Sequence, residues 1–166
     1  MYLPAERSDS LTQGHILDSC PILGFEVSSP DSQPVSTEER ARVMVLSQAC
    51  DLAQGKTERV LVAVVLSAKE MVERGILKTG FIRDNVRRGL VFGWYFLPAS
   101  EPPISFQESV IDLRDLHTLD RGYLQRMLED GKGVCRLGTP YREHLNQHFA
   151  VTYMRIGLPE PYSTEA

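Results

Sequence analysis

The sequence predicts an α+β domain in which C-terminal helices pack on a bent, mainly antiparallel sheet or small barrel. Two segments rich in valine, 42–47 and 59–66, are apolar at successive positions, which is typical of central strands covered on both faces. After Asp120 the apolar residues recur at helical spacing instead. The 166 residues, of which 42% are hydrophobic and 24% charged, suit one domain with one core.

The first half is predicted to consist mainly of strands. Two short apolar runs, 13–17 and 22–27, are separated by an Asp-Ser-Cys-Pro segment, and a turn-rich connection covers 28–36. The two central strands follow, and the loop 48–58 joins them with Gly55 as its turn.

Four further elements are predicted in the middle of the chain: helices over 68–78 and 81–88, and strands over 94–97 and 109–113, the latter as the last strand. The first helix begins at a capping-box pattern, in which Ser67 and Glu70 satisfy each other's backbone N–H groups. Gly89 ends the second helix.

The last third is predicted to be helical. Asp120 caps a helix that ends at Gly131, and Thr139 followed by Pro140 opens the longest helix, which Gly157 closes. Apolar residues of this helix are spaced by four, four, four and three positions: Tyr141, Leu145, Phe149, Tyr153 and Ile156. This spacing gives the helix one apolar face, which we expect to pack on the sheet.

The domain organisation is predicted as a flexible N-terminal segment (1–10), a single α+β domain (11–158) and a C-terminal tail (159–166). The longest apolar run, 60–66, is too short for a membrane span, and no secretory signal pattern opens the chain. Three widely spaced cysteines predict neither a disulfide framework nor a zinc ribbon. These features predict a cytoplasmic protein without a membrane partner.

The loop after the first central strand is the main candidate for function, and we call residues 47–51 the rim loop. Ser47, Gln48, Cys50 and Asp51 bring a hydroxyl, an amide, a thiol and a carboxylate to the end of a rigid strand. A nucleophilic thiolate requires a nearby base or cation, which the adjacent sequence lacks. The sequence therefore leaves two interpretations: a structural Cys50 beside an Asx-type turn at Asp51, or a binding or catalytic role for the loop. The second makes these four residues the candidate binding site.

Two other patterns carry weaker functional signals. His144 and His148 lie at i and i+4 on the long helix, but Leu145 stands where zinc proteases have Glu, and no third ligand is evident. We therefore predict no metal site, and no motif predicts a cofactor. Arg83 and 87–88 form a basic face that either contacts phosphate or is a solvated helix surface balanced by acidic neighbours.

Two stretches resemble an uncharacterised bacterial family of small proteins. The first is a strand and loop with the pattern Val-Leu-Ser-Gln-x-Cys-Asp-Leu, residues 45–52. The second is the closing helix, 140–149, together with its continuation through 154–159. This resemblance implies no particular activity.

The first half is also similar to the MazF/PemK-type toxin barrel. The similarity covers Gly14-His15-Ile16, the strand from Arg42 to a Leu-Ser ending, and the second valine-rich strand ending at Ser67. It implies a small SH3-like barrel that cleaves RNA, with Arg42 and Ser67 as catalytic residues. Val43 departs from the pattern, since the family has Pro at that position.

Two functions follow from these observations. The first is an intracellular binding or regulatory domain that acts on a protein or small ligand through the rim loop. The alternative is a MazF/PemK-like endoribonuclease or an inactive relative, with RNA as the partner. The net charge of −4 favours the first, because a protein that binds a phosphate backbone normally carries a basic excess. A homodimer would cover the apolar edges of a small barrel.

Overall fold

The computed structural model describes residues 1–29 and 32–154 and contains seven strands and five α-helices within them. The strands are β1 (Tyr2–Leu3), β2 (His15–Glu26), β3 (Val35–Val45), β4 (Arg59–Ser67), β5 (Trp94–Leu97), β6 (Ser109–Asp120) and β7 (Gly133–Leu137). The helices are α1 (Ala49–Ala53), α2 (Ala68–Glu73), α3 (Thr79–Phe81), α4 (Arg121–Met127) and α5 (Tyr141–Tyr153).

All seven strands form one antiparallel sheet, in the order β1-β7-β2-β3-β4-β6-β5. The predicted α+β class is therefore confirmed. The sheet has two edges, β1 and β5, so the described residues form an open sheet rather than a closed barrel. Every helix in the described part of the chain is too short or too polar to cross a lipid bilayer.

The two valine-rich segments lie side by side in the middle of the sheet, as predicted. Residues 43–45 of β3 pair with 62–64 of β4, and both faces of this ladder are buried. On one face, Met44 and Ala63 join a core cluster with Leu145 of α5. On the other, Val62 joins a cluster with Leu124 of α4. Side chains alternate between the two faces of a strand, so both faces require apolar residues.

The two apolar runs predicted near the N-terminus form one continuous strand, β2. A bulge between Leu17 and Cys20, where Ser19 has a φ of +58°, lets the strand continue through the polar segment. Pro21 is tolerated because β7 pairs only with residues 15–17, which leaves the outer edge of β2 free further along. Beyond the bulge, β2 and β3 form a two-stranded ribbon that includes Val35, within the predicted connection.

The predicted helix over 68–78 is shorter in the structure. It ends at Glu73, because Gly75 adopts a left-handed φ of +70° that closes the last turn. The second predicted helix begins as α3 and continues as a π-helical turn over Ile82–Val86, which Gly89 ends with a φ of +67°.

The last third contains the two predicted helices and also a strand that was not predicted. Strand β7 follows directly after α4 and a π-helical turn, Leu128–Lys132, and inserts between β1 and β2. Strand β6 extends to Asp120 and is not the last strand. The cap at Asp120 is confirmed, because its Oδ1 accepts a 2.8 Å hydrogen bond from the Tyr123 N–H.

The N-terminal end differs from the sequence expectation, and part of the C-terminal end lies outside the described residues. Tyr2 and Leu3, which we placed in the flexible segment 1–10, form β1 instead, and the Tyr2 hydroxyl donates to the Pro98 carbonyl at 2.7 Å. The N-cap position of α5 is Pro140 rather than Thr139, and it has no side-chain capping hydrogen bond. Ile156, Gly157 and the predicted tail 159–166 lie outside the described residues.

Candidate functional site

The rim loop begins with a residue that the sheet holds firmly. The Ser47 hydroxyl accepts a 2.8 Å hydrogen bond from the Leu61 N–H, and the Ser47 N–H donates to the Leu61 carbonyl at 3.3 Å. The Leu46 N–H donates to the same carbonyl at 2.9 Å, so the contact between the two strands continues for two residues beyond the end of β3 at Val45. The Ser47 hydroxyl thereby satisfies the backbone N–H of Leu61 and fixes the start of the rim loop.

The remaining predicted side chains of the rim loop lie at or beside the first turn of α1. The Cys50 thiol is exposed and lies 3.6 Å from Gln48 Oε1 and 3.8 Å from Asp51 Oδ1, and no imidazole is among its hydrogen-bond partners in the described structure. Leu52 is buried and ties the turn to the core. The loop thus presents polar groups at the surface of the protein.

Only one of the three cysteines is expected to react in the folded protein. Cys50 is exposed, whereas Cys20 and Cys135 are fully buried and burial raises the pKa of each to about 12. Titration with a disulfide reagent at pH 8 should therefore modify one thiol rapidly in the native state and three after denaturation. A Cys50→Ser variant should show no rapid reaction, and two fast thiols in the native wild type would contradict the structure.

The two residues that the toxin resemblance singled out, Arg42 and Ser67, line one cleft of about 430 Å³. We call it the β3–β4 cleft. It opens because β3 pairs with β4 only at residues 43–45, and the strands diverge on the side that leads toward the ribbon and α2.

Both side chains are engaged within the fold. Arg42 Nη2 donates a 2.9 Å hydrogen bond to Asp18 Oδ2, its guanidinium lies 5.9 Å from the centre of the Phe106 ring, and its Nε is buried without a hydrogen bond. The Ser67 hydroxyl caps α2 by accepting from the Glu70 N–H at 3.5 Å, which is one of the two hydrogen bonds of the predicted capping box. Neither group is held free for an RNA phosphate.

The β3–β4 cleft carries charges of both signs. Its lining includes three arginines and four carboxylates: Arg40, Arg42, Arg74, Asp18, Glu39, Glu70 and Asp115. Carboxylates outnumber guanidinium groups, so the cleft disfavours a polyanion. It can complement a ligand that itself carries both charges.

The structure also brings together three side chains whose contact the sequence did not predict, those of Tyr95, His144 and His148. His144 and His148 project from α5 toward Tyr95 of β5, whose hydroxyl lies 3.0 Å from His144 Nδ1. The Tyr95 and His148 rings meet edge to face, with centroids 5.6 Å apart. Tyr95 stood in a predicted strand, but nothing in the sequence indicated which helix would cover it. Among the described residues, no three His, Cys, Asp or Glu side chains form a metal-binding cluster.

The predicted basic face divides into separate roles. Arg83 forms two hydrogen bonds, of 2.8 and 2.9 Å, with the neighbouring Asp84 carboxylate. Arg87 instead lies over the Phe96 ring, 5.8 Å from its centre. The pairing of Arg83 supports the interpretation of a balanced helix surface over that of a phosphate site.

Comparison with known proteins shows that no family model matches this chain and that no curated protein matches it significantly. The resemblances noted in the sequence therefore stay predictions.

Proposed function

We propose that the protein is a non-catalytic binding or regulatory domain that holds a polypeptide partner in the β3–β4 cleft. The observation that carries this proposal is the coincidence of an unpaired strand edge with a lining of mixed charge.

The unpaired edge belongs to residues 35–41 of β3. These residues pair with β2 on one side, whereas pairing with β4 on the other side begins only at Val43. Within the described chain, no strand occupies that second side. An extended polypeptide can add to such an edge through backbone hydrogen bonds, with pockets for alternate side chains providing specificity.

The mixed lining favours a polypeptide over RNA. Glu39 and Arg40 on the β3 side and Arg74 after α2 are all exposed. A peptide with acidic and basic side chains can pair with both kinds of group, whereas a phosphate backbone meets the carboxylates with like charge. The rim loop, at the other end of β3, is the alternative site for such a partner.

Peptides selected from a random display library against the wild-type protein test this proposal. By calorimetry, we expect Glu39→Lys and Arg74→Glu each to weaken binding by about tenfold or more, since reversal creates like-charge contacts. The matched controls Glu58→Lys and Arg88→Glu, also exposed but outside the cleft lining, should bind like the wild type. Equal affinity in all four variants would reject the cleft, and a loss confined to a Cys50→Ser, Asp51→Asn variant would move the site to the rim loop.

An endoribonuclease is the second candidate, and the convergence of Arg42 and Ser67 on one cleft favours it. If the protein cleaves RNA there, Arg42→Ala should abolish cleavage while Arg88→Ala leaves it intact. We expect no cleavage by the wild type, because Arg42 is paired with Asp18 and Ser67 caps a helix. Cleavage that depends on Arg42, with an unchanged circular dichroism spectrum, would replace the binding proposal.

A further inference from the structure

A second cavity lies at the β5 edge of the sheet, between β5, α5 and the residues that close the π-helical turn. Its volume is about 290 Å³, and we call it the aromatic pocket. Four aromatic side chains contribute to its walls: Trp94, Tyr95, Phe96 and Tyr141. It shares no lining residue with the β3–β4 cleft, so an inference about it does not depend on the proposed function.

The charged side chains in the described lining of the aromatic pocket all have one sign. Arg87 lines it together with His144 and His148, and none of the lining residues that the structure describes carries a carboxylate. Arg87 lies over the Phe96 ring and has no ion pair among the described residues. In a protein with a net charge of −4, a pocket with an unpaired guanidinium and no carboxylate is a local site of positive potential.

We infer that the aromatic pocket binds a small planar carboxylate carrying one aromatic ring. The aromatic walls offer stacking and edge-to-face contacts to the ring, and Arg87 offers its planar fork of N–H donors to the carboxylate. The volume is at the lower end for ligand sites and suits a molecule of about one ring.

The polar groups inside the pocket are arranged to orient such a ligand. The Tyr95 hydroxyl lies within hydrogen-bond distance of His144 Nδ1 and of the Tyr141 carbonyl, at 3.0 and 3.5 Å. Burial raises the pKa of Tyr95 to about 12, so its hydroxyl stays protonated at neutral pH and adds no negative charge. Tyr95 therefore adds no like charge against a ligand carboxylate, and Arg87 is the charged donor in the described lining.

Trp94 provides a direct readout, because it is the single tryptophan of the chain and lines the pocket. Titration of the wild-type protein with benzoate is expected to change its fluorescence with a saturable curve. Benzamide, which has the same ring without the charge, should bind about tenfold or more weakly. Saturable heats in a calorimetric titration with benzoate should give the same dissociation constant.

The variant Arg87→Gln should weaken benzoate binding by about tenfold or more, because it removes the charge-assisted hydrogen bonds. Arg88→Gln is the matched control, since Arg88 is adjacent and exposed but does not line the pocket. Both arginines are exposed, and unchanged circular dichroism would show that both variants fold. The inference is overturned if neither method detects saturation below about 10 mM benzoate, a weak limit for a specific site. It is also overturned if Arg87→Gln binds benzoate as tightly as Arg88→Gln does.

Discussion

Replacement of Ala63 by Asp is expected to destabilise the protein by about 4 kcal/mol or more, a large part of the stability of a domain of this size. Ala63 is fully buried at the centre of β4, where it faces Met44 across the ladder and the cluster that contains Leu145. A carboxylate there has no described cation beside it. We expect the variant to unfold at much lower urea concentration or to be insoluble.

The control for this prediction is Leu23→Asp, on the β2–β3 ribbon. Leu23 is also a strand residue, but its side chain is 67% exposed, so the same carboxylate stays in water. Its urea midpoint should lie within the error of the wild type, since exposed substitutions change stability by less than about 0.5 kcal/mol. Equal midpoints for the two variants would contradict the burial of β4 on both faces.

Leu145→Ala is expected to cost about 2–5 kcal/mol and to loosen the attachment of α5 to the sheet. Leu145 is the one side chain of this helix that is fully buried in the described structure, and it packs in the cluster that also contains Ile16 and Leu97. Its truncation leaves a cavity between α5 and the sheet. The rest of the helix, which is exposed at Tyr141 and Tyr153, cannot fill that cavity unless the helix moves.

The measurement is the free energy of unfolding by urea, with Val151→Ala as the control on the same helix. Val151 is 42% exposed, so its truncation should cost much less than that of Leu145. Similar losses for both variants would show that α5 is attached by a different face from the one described.

The sequence predicted the centre of this fold better than its margins. Residues 43–45 and 62–64 are apolar on both faces, and that pattern has few interpretations other than central strands. The caps at Ser67 and Asp120 were also readable, because a capping side chain acts on a backbone N–H three residues away. Local signals of this kind depend on no distant partner.

The margins depend on contacts between residues far apart in the chain. Strand β7 has five residues and is defined by pairing with β1 and β2, more than 100 residues earlier, so its sequence alone resembles the end of a helix. Tyr2 likewise joins a strand only because Leu137 lies opposite it. Tertiary pairing decides such short segments.

The candidate sites show the same difference between local signals and contacts of residues far apart in the chain. The rim loop was predicted from its place after a central strand, and it lies there with Cys50 exposed. The β3–β4 cleft was not predicted, because it arises where two paired strands diverge and its charges come from β2, β3, β6 and α2 or its cap. The meeting of Tyr95 with His144 likewise required the position of α5 over β5.

Hydrogen exchange shows whether a polypeptide pairs with the free edge of β3. The wild-type protein is measured alone and with a saturating display-selected peptide. We expect slower amide exchange within residues 35–41 when the peptide is bound, because their outward backbone groups gain partners. We expect little change in residues 48–58. Protection confined to 48–58, or no change at 35–41 with peptide bound, would contradict pairing at that edge.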